Sequence, residues 1–408
     1  MPYIHRHLER KFLRMSGFFK ALWVTGARQV GKTTMLKHLS QGQNRTYVTL
    51  DNMAARNLAK AEPLLFFQTY KPPIFIDEVQ YAPELFSQIK TLCDESEETG
   101  LFWLSGSQQY SMLRNVQETL AGRLGILTLH SLSQSEKAGV FFESELDFSL
   151  PCLQARQAQV ARNNVMRVFE HIWRGGMPQL LQADAEQTRE YFEAYVKTYL
   201  MRDVAELGGI NDSLRFGKFL SACAALVAEQ VHYKTLAEAA DISQPTAKEW
   251  LRILEGLGIV YLLKPYANNA LKRLAKTPKL YFCDTGLAAH LSMWTSQETL
   301  MRGAASGHFF ENYVVAELLK NEACSASKAN MSYYRDANAK EVDLFVEKNN
   351  KIHPLEIKKS ANPNPREIKK FSVLEKAALH PGEGGILCLC EEVVPVDAQN
   401  CLIPCNLL

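Results

Sequence analysis

Residues 26–34 read Gly-Ala-Arg-Gln-Val-Gly-Lys-Thr-Thr, the residue types and spacing of a loop that binds phosphate groups. The two glycines let successive backbone N–H groups converge on phosphates, and a following helix would add positive potential. Lys32 would reach the β- and γ-phosphates, and the Thr33 hydroxyl would ligate Mg²⁺. We predict that this loop binds a nucleoside triphosphate, ATP with Mg²⁺, through Gly26, Ala27, Arg28, Gln29, Val30, Gly31, Lys32, Thr33 and Thr34.

Two carboxylates, Asp77 and Glu78, follow the apolar run 74–76. A buried parallel strand that ends in acidic residues presents them to a ligand at its carboxyl end. We expect Asp77 to hold Mg²⁺ through water and Glu78 to position and polarise the attacking water. The alternative is a solvated acidic pair at a strand end.

Two further segments carry candidate catalytic groups. The apolar run 101–104 leads into small polar residues, of which Ser107 or Gln108 is expected to sense the γ-phosphate. Arg123 follows in Leu-Ala-Gly-Arg, just before another apolar run. It could act as an arginine finger that neutralises transition-state charge, or it could lie solvated at a helix end.

These residues need a scaffold that brings strand ends together, and the chain predicts one. Helical patterns at 32–40 and 84–97 alternate with apolar runs, which indicates a parallel sheet with helices on both faces and a ligand site at the carboxyl ends of its strands. The predicted strands are 22–25, 47–50, 74–77, 101–105 and 126–129.

From about residue 133 to residue 202 the pattern becomes helical, which suggests a helical lid over the nucleotide. Arg174, beside two glycines, could touch the phosphates from that lid or could be a surface arginine at a helix end. Residues 233–254 then have the pattern of a helix-turn-helix, in which Ser243 caps the second helix and Pro245 occupies its first turn. The following run, 255–263, would begin the wing of a winged helix.

This winged-helix region could contact DNA or serve as a protein contact module. Few polar groups are offered for reading DNA, namely Gln244, Thr246, Lys248 and Lys234. Further positive residues could feed a phosphate-binding surface or could be ordinary solvated side chains, namely Lys264, Lys272, Arg273, Lys276 and Lys279.

The last hundred residues carry a second constellation. Asp343 and Glu356 fall on two strands spaced as a hairpin, and Lys358 shares one strand face with Glu356. Glu311, from a helix over about 307–320, could join them. Two or three carboxylates with a lysine can hold Mg²⁺ and hydrolyse a phosphodiester, whereas the alternative is an exposed strand face with alternating charges. Other predicted elements here are strands at 331–334, 341–347, 352–358 and 385–390 and a helix at 365–378.

The amino-acid composition excludes few classes of binding partner. With a net charge of +2, the chain is not a globally basic nucleic-acid coat, although local patches remain possible. No apolar stretch is long enough to span a bilayer and no signal-peptide pattern opens the chain, so we predict a cytoplasmic protein without a membrane partner. Scattered cysteines favour reduced thiols; the alternative is a zinc site at Cys388, Cys390, Cys401 and Cys405.

The motifs at 26–34, 75–80, 104–108 and 120–123 resemble the AAA+ ATPase family whose members carry a C-terminal domain of unknown function that is similar to restriction endonucleases of the PD-(D/E)xK type. Residues 279–287, 310–314, 335–336 and 354–360 resemble that C-terminal domain. The resemblance implies Lys32 and Thr33 for phosphate and Mg²⁺, Asp77 and Glu78 for metal and water, and Ser107 for sensing. For the nuclease-like domain it implies Asp343, Glu356 and Lys358 as the set that holds metal and water. It also implies a homo-oligomeric ring or partial ring in which Arg123 acts on a neighbour's nucleotide.

We therefore predict an α/β P-loop ATPase of AAA+ type at 1–135, a helical lid at 136–205, a winged helix at 206–300 and an α/β restriction-endonuclease-like domain at 301–408. The predicted function is ATP hydrolysis that couples nucleotide state to the C-terminal region, acting on DNA. The alternative is a nucleotide-gated regulator or scaffold whose nuclease-like domain is catalytically silent and binds protein partners.

Overall fold

The computed structural model describes residues 3–106, 120–201, 204, 212–266, 277–336, 340–376 and 380–408. The chain divides into two compact units, Met1–Leu132 with Gly256–Ile259, and Ser133–Glu255 with Val260–Leu408. The fourfold domain division stays a prediction. None of the described helices combines the length and the apolarity that a bilayer crossing requires.

The first unit is built on a five-stranded parallel sheet. The strands are β1 Ala21–Thr25, β2 Thr46–Thr49, β3 Ile74–Asp77, β4 Phe102–Ser105 and β5 Leu124–Thr128. Their order in the sheet is β2-β3-β4-β1-β5. All residues of β1, β3 and β4 are buried, as expected for central parallel strands covered on both faces. The helices are α1 Leu8–Ser16, α2 Lys32–Ser40, α3 Met53–Ala61, α4 Pro63–Thr69 and α5 Leu85–Glu95, with a 3-10 turn at Val79–Tyr81.

This sheet confirms the five predicted strands and both predicted helices to within a few residues. Because β4 lies between β1 and β3, the carboxyl ends of these three strands meet at one edge. The phosphate-loop residues follow β1, the two carboxylates end β3, and small polar residues end β4. The topology therefore gathers the predicted chemistry at that edge.

The second unit begins with helices and ends in a sheet. The helices that precede the six-stranded sheet are α6 Gln134–Ala138, α7 Leu150–Gln157, α8 Val165–Arg174, α9 Ala185–Tyr195, α10 Ser213–Ala225, α11 Tyr233–Ala240, α12 Gln244–Gly256, α13 Thr285–Leu291, α14 Gln297–Arg302 and α15 Ser306–Cys324. Helix α12 ends at the boundary between the two units. Short helical segments lie at Pro178–Leu180, Val196–Leu200, Pro365–Ser372 and Cys405–Leu407, and α16 spans Val373–Lys376.

Helices α11 and α12 form the predicted helix-turn-helix. Asp241 ends α11 in a left-handed conformation, and the Ser243 hydroxyl accepts the backbone N–H of Thr246 at 3.2 Å. Strands β6 Val260–Leu263 and β7 Lys279–Phe282 then pair antiparallel. The action of this region as a winged helix on DNA stays a prediction.

The strands of the C-terminal sheet are β8 Asn330–Arg335, β9 Glu341–Lys348, β10 Lys351–Lys358, β11 Gly384–Cys388, β12 Val394–Pro395 and β13 Asn400–Pro404. Their order is β12-β13-β11-β10-β9-β8, and the sheet is mixed, since β10, β11 and β13 run parallel while the other pairs are antiparallel. The predicted hairpin is confirmed as β9 and β10. The predicted helix 365–378 is instead a 3-10 segment, Pro365–Ser372, followed by the short α16, and its last two residues lie outside the described part of the chain.

Candidate functional site

The phosphate loop leaves β1 through residues that L side chains rarely fit. Gly26 has φ +139°, and a Cβ there would collide with the backbone oxygen of Leu129. Gly31, left-handed at φ 96°, precedes the first turn of α2. Lys32 is buried, and its ammonium donates to the carbonyls of Gly26 and Ala27 at 3.0 and 2.8 Å. The lysine therefore lies folded across the loop that would cradle phosphates.

Asp77 is the polar centre of this edge of the sheet. Its Oδ1 accepts the hydroxyl of Thr33 at 2.8 Å and also the hydroxyl of Ser105. Its Oδ2 accepts the hydroxyl of Tyr47 at 3.4 Å. Asp77 is buried, so these three donors from α2, β4 and β2 orient its carboxylate. The structure thus brings together the two side chains predicted to hold Mg²⁺.

Glu78 directly follows in a left-handed conformation, φ 57° and ψ 45°, which few residues other than glycine adopt. Glu78 is the residue from which the 3-10 turn Val79–Tyr81 begins. Its Oε2 accepts the side-chain amide of Gln80. Glu78 is therefore at the nucleotide edge, but one of its oxygens is engaged.

Ser107 and Gln108, the predicted sensors, lie outside the described residues. Ser105, two positions earlier, holds Asp77 and was not singled out in the sequence. Ser105 is hard to predict from the sequence, because several small polar residues follow the same apolar run and nothing shows where β4 ends.

Arg123 is not brought to the phosphate loop. It precedes β5, and its carbonyl accepts the N–H of Ala21, the first residue of β1, at 3.2 Å. That is the amino end of the sheet, about 15 Å along the strands from the carboxyl end. Its guanidinium instead pairs with Asp94, with Nη2 at 3.1 Å from Oδ2. A role on its own subunit's nucleotide is therefore excluded, whereas a role on a neighbour's nucleotide stays a prediction.

Arg6 braces the loop from the N-terminal segment, and sequence reasoning did not find it. Its guanidinium is buried and donates to the carbonyls of Val30 and His130, each at 2.8 Å. It ties the phosphate loop to the segment after β5. A basic residue before an amphipathic helix ordinarily indicates a solvated side chain, so no pattern pointed to this role.

In the second unit, Asp343, Glu356 and Lys358 meet as predicted. The ammonium of Lys358 lies 3.1 Å from Asp343 Oδ2 and 2.7 Å from Glu356 Oε2. Lys370 also reaches Glu356 Oε2, at 3.0 Å, and pairs with Glu367 at 2.8 Å. Two lysines therefore neutralise the carboxylates that would otherwise hold a cation.

Glu311 is held beside this set rather than in it. Asn312, fully buried on α15, exchanges hydrogen bonds with the backbone of Phe282 in β7, which fixes the helix against that strand. Glu311 then accepts Tyr281 at 2.6 Å and Lys279 at 3.1 Å. Lys279 also pairs with Glu341 at 2.7 Å. The expectation that Lys279 feeds a phosphate surface is wrong, because its ammonium is buried between two carboxylates.

Burial and charge shift the pKa values of this cluster. Burial raises the pKa of Glu356 to about 6, and the nearby Asp343 charge adds to that effect. Burial also raises the pKa of Glu311. Burial alone would lower the pKa of Lys358, but the carboxylates of Asp343 and Glu356 outweigh it and raise that pKa. The cluster is thus an internally compensated group of charges.

Metal-binding candidates in the second unit find little structural support. Within the part of the chain that the structure describes, no three His, Cys, Asp or Glu side chains form a metal-binding group. Cys388, Cys390, Cys401 and Cys405 are buried free thiols. Arg174 pairs with Glu170 at 3.0 Å on the same helix, which matches the helix-end alternative. Lys272, Arg273 and Lys276 lie outside the described residues.

Family models match three parts of the chain. Residues 19–138 match the AAA domain, residues 166–298 match a domain of unknown function (DUF8612), and residues 306–408 match another domain of unknown function (DUF4143). The two latter families supply no activity, so the nuclease-like character of the C-terminal region remains a prediction.

The chain also resembles uncharacterized proteins of Mycobacterium bovis and Mycobacterium tuberculosis. Each is 26% identical over 387 residues, which are 93% of this chain and 80% of the relative. Among solved structures, a Walker-type ATPase of Pyrococcus abyssi has 13% identity and a TM-score of 0.44, and covers 71% of this chain and 96% of its own. The Holliday junction branch migration motor RuvB of Thermotoga maritima has 15% identity and a TM-score of 0.33, with 66% and 95% covered.

The match of residues 19–138 agrees with the geometry of the first unit. A parallel α/β sheet, a phosphate loop after β1 and an acidic pair after β3 are the parts of a P-loop NTPase fold. Residues 19–138 therefore match the AAA domain in sequence and have the parts of the P-loop NTPase fold.

Proposed function

We propose that the chain binds ATP with Mg²⁺ at residues 26–34 and hydrolyses it. The observation that carries this proposal is the 2.8 Å hydrogen bond between the Thr33 hydroxyl and Asp77 Oδ1. Hydroxyl and carboxylate oxygens are the ligands that Mg²⁺ prefers, and here two of them are held in contact beside a phosphate loop. The residues present therefore fit the cation and the nucleotide.

Each residue has a distinct part in the proposed reaction. Loop N–H groups and Lys32 would bind the phosphates, and Thr33 and Asp77 would hold the cation, directly and through water. Bound Mg²⁺ would neutralise charge that develops on the phosphates. Glu78 would accept a hydrogen bond from the attacking water and orient it. Ser105 and Tyr47 would keep Asp77 in a single orientation.

A Glu78→Gln variant tests the assignment of the base. The amide cannot take up a proton, so ATP turnover should fall at least 100-fold while ATP remains bound to the purified protein. Glu84→Gln, an exposed residue at the start of α5, is the matched control and should leave turnover unchanged. Full turnover in Glu78→Gln would refute the assignment.

We propose further that the nucleotide state gates the second unit, which acts as a regulator or scaffold. Support for a regulatory role comes from the charge cluster around Glu356, in which the ammonium groups of Lys358 and Lys370 both pair with Glu356 Oε2. A cation would have to displace these ammonium groups. A catalytically silent nuclease-like region that binds a protein partner fits such an arrangement.

DNA cleavage is the second candidate output, because Asp343, Glu356 and Lys358 do meet in space. Nicking of supercoiled plasmid with Mg²⁺ or Mn²⁺, with and without ATP, distinguishes the two outputs. Cleavage that is lost in Asp343→Ala and Lys358→Ala, but kept in the control Lys351→Ala, would establish the nuclease. Intact plasmid, linear DNA and RNA under all conditions would favour the silent scaffold.

A further inference from the structure

The side chain of Gln80 touches the proposed catalytic base. Gln80 lies in the 3-10 turn after β3, is only 6% exposed, and donates from Nε2 to Glu78 Oε2. Only one atom of its amide is used in this way. The buried Gln80 Oε1 has no hydrogen-bond partner among the described residues.

A second unpaired group lies close by. Trp23 on β1 is fully buried, and its indole Nε1–H also lacks a partner within the described part of the chain. Buried donors and acceptors nearly always find partners, so a lone donor beside a lone acceptor is unusual. The pair is complementary, because the indole can only donate and the amide oxygen can only accept.

Gly106, the residue after β4, lies against both groups. A Cβ at Gly106 would collide with Gln80 Oε1 and would lie 3.3 Å from Trp23 Nε1. Since β4 lies between β3 and β1, this glycine is the point at which the turn after β3 and the strand before the phosphate loop approach each other. Any larger residue would fill the space in which the Gln80 amide can turn.

We propose that Gln80 is a positioning residue with two arrangements, one that restrains Glu78 and one that releases it. In the first, Nε2 donates to Glu78 and both Oε1 and the Trp23 indole stay unpaired. In the second, the amide turns so that Oε1 accepts from Trp23 Nε1, and Glu78 is freed to orient water. One arrangement keeps a charge-assisted bond and the other pairs two buried orphans, so both can be populated. This inference rests on the proposed ATPase function.

Steady-state ATP turnover by the full chain tests it with Gln80→Ala, Trp23→Phe and the double variant. Gln80→Ala removes the restraint, so kcat should rise about fivefold while the nucleotide Kd stays unchanged. Gln68→Ala, exposed on α4, is the control and should change none of these values.

Trp23→Phe keeps the aromatic packing but removes the indole N–H. It should favour the restrained arrangement and lower kcat about fivefold, yet it should have no effect when Gln80 is already alanine. Additive effects of the two substitutions would overturn the proposal. So would a Gln80→Ala variant that loses kcat and nucleotide affinity together, since that outcome marks a purely structural role.

A wild-type chain without turnover would refute the proposed ATPase function. The two arrangements of Gln80 would then be tested by the nuclear magnetic resonance signal of the Trp23 indole N–H, which does not depend on turnover. If the indole N–H donates to Gln80 Oε1 for part of the time, removing that acceptor in Gln80→Ala should move the signal upfield. The signal should stay in place in Gln68→Ala. An unmoved signal in Gln80→Ala would overturn the two-arrangement inference.

Discussion

Single oxygen atoms carry much of the chemistry in the first unit. Asp77 Oδ1 accepts both Thr33 and Ser105, so the carboxylate that would serve the cation is oriented before any ligand arrives. Preorganisation of this kind lowers the reorganisation that binding requires. The residue that makes the second of these bonds, Ser105, is therefore as much a part of the site as the motif residues.

Ser105→Ala tests that statement. Losing one charge-assisted donor to a buried carboxylate should lower ATP turnover about tenfold and raise the Mg²⁺ concentration needed for half-maximal rate. A magnesium titration of steady-state turnover measures both. Ser87→Ala, exposed on α5, serves as the control, and a Ser105→Ala variant with an unchanged titration would disprove the role.

At this scale the sequence predicts some side chains well and others poorly. Thr33, Asp77 and Glu78 belong to motifs whose spacing follows from phosphate geometry, so their positions could be predicted. Lys279 was misassigned, because its partners Glu311 and Glu341 lie far along the chain and become neighbours only through tertiary packing. A buried lysine with two distant carboxylates leaves no local pattern.

At the scale of elements, continuous apolar runs indicated the central strands reliably, since strands covered on both faces need no alternation. Helix α1 escaped prediction although it positions a functional group. It buries Leu8 and Phe12 against the first unit and so carries Arg6 to the phosphate loop. Its amphipathic pattern is short, and no motif follows it.

Arg6→Met tests whether Arg6, which lies just before α1, braces the phosphate loop. The substitution leaves two carbonyls without their charged donor, so we expect a loss of roughly 2–4 kcal/mol in unfolding free energy and weaker nucleotide binding. Urea unfolding and nucleotide titration measure these effects. Arg10→Met, an exposed position on the same helix, is the control. Equal behaviour of the two variants would contradict the brace.

His171, on helix α8, should make the stability of the second unit depend on pH. Burial, with the charges of Lys137, Arg167, Arg174 and Lys320, lowers the pKa of His171 to about 3. The folded chain thus keeps this imidazole neutral where the unfolded chain protonates it, so stability is full above pH 6.5 and declines as the pH falls toward 3.

Between pH 7.5 and pH 5.0 this decline amounts to about 2 kcal/mol for one group. Urea unfolding at pH 7.5 and pH 5.0 should therefore show a smaller loss in His171→Gln than in the wild-type chain. His232→Gln, exposed before α11, should retain the wild-type loss. An identical pH response in all three chains would exclude His171 as the source.

At the scale of the whole molecule, Arg123 raises the question of assembly. It lies at the amino end of the sheet and pairs with Asp94, so any catalytic role requires the nucleotide of another copy. The sequence motif does not show at which end of the sheet Arg123 lies. The register of β5 against β1 places it at the amino end.

Subunit mixing tests a finger that acts between copies. Arg123→Ala and Lys32→Ala should each lose turnover when pure, and their mixture should regain up to about a quarter of the wild-type rate because some interfaces combine an intact loop with an intact arginine. Asp94→Ala separates this role from the ion pair and should stay active. A mixture as inactive as its components would contradict action in trans.

Titration calorimetry of the full chain measures whether residues 26–34 hold ATP with its magnesium ion. We predict one exothermic association with ATP and Mg²⁺ in the wild-type chain and in Lys60→Ala, an exposed control on α3, and a loss of at least 100-fold in affinity in Lys32→Ala. Equal affinity of Lys32→Ala and the wild-type chain, or no heat of binding with any nucleoside triphosphate, would contradict the account.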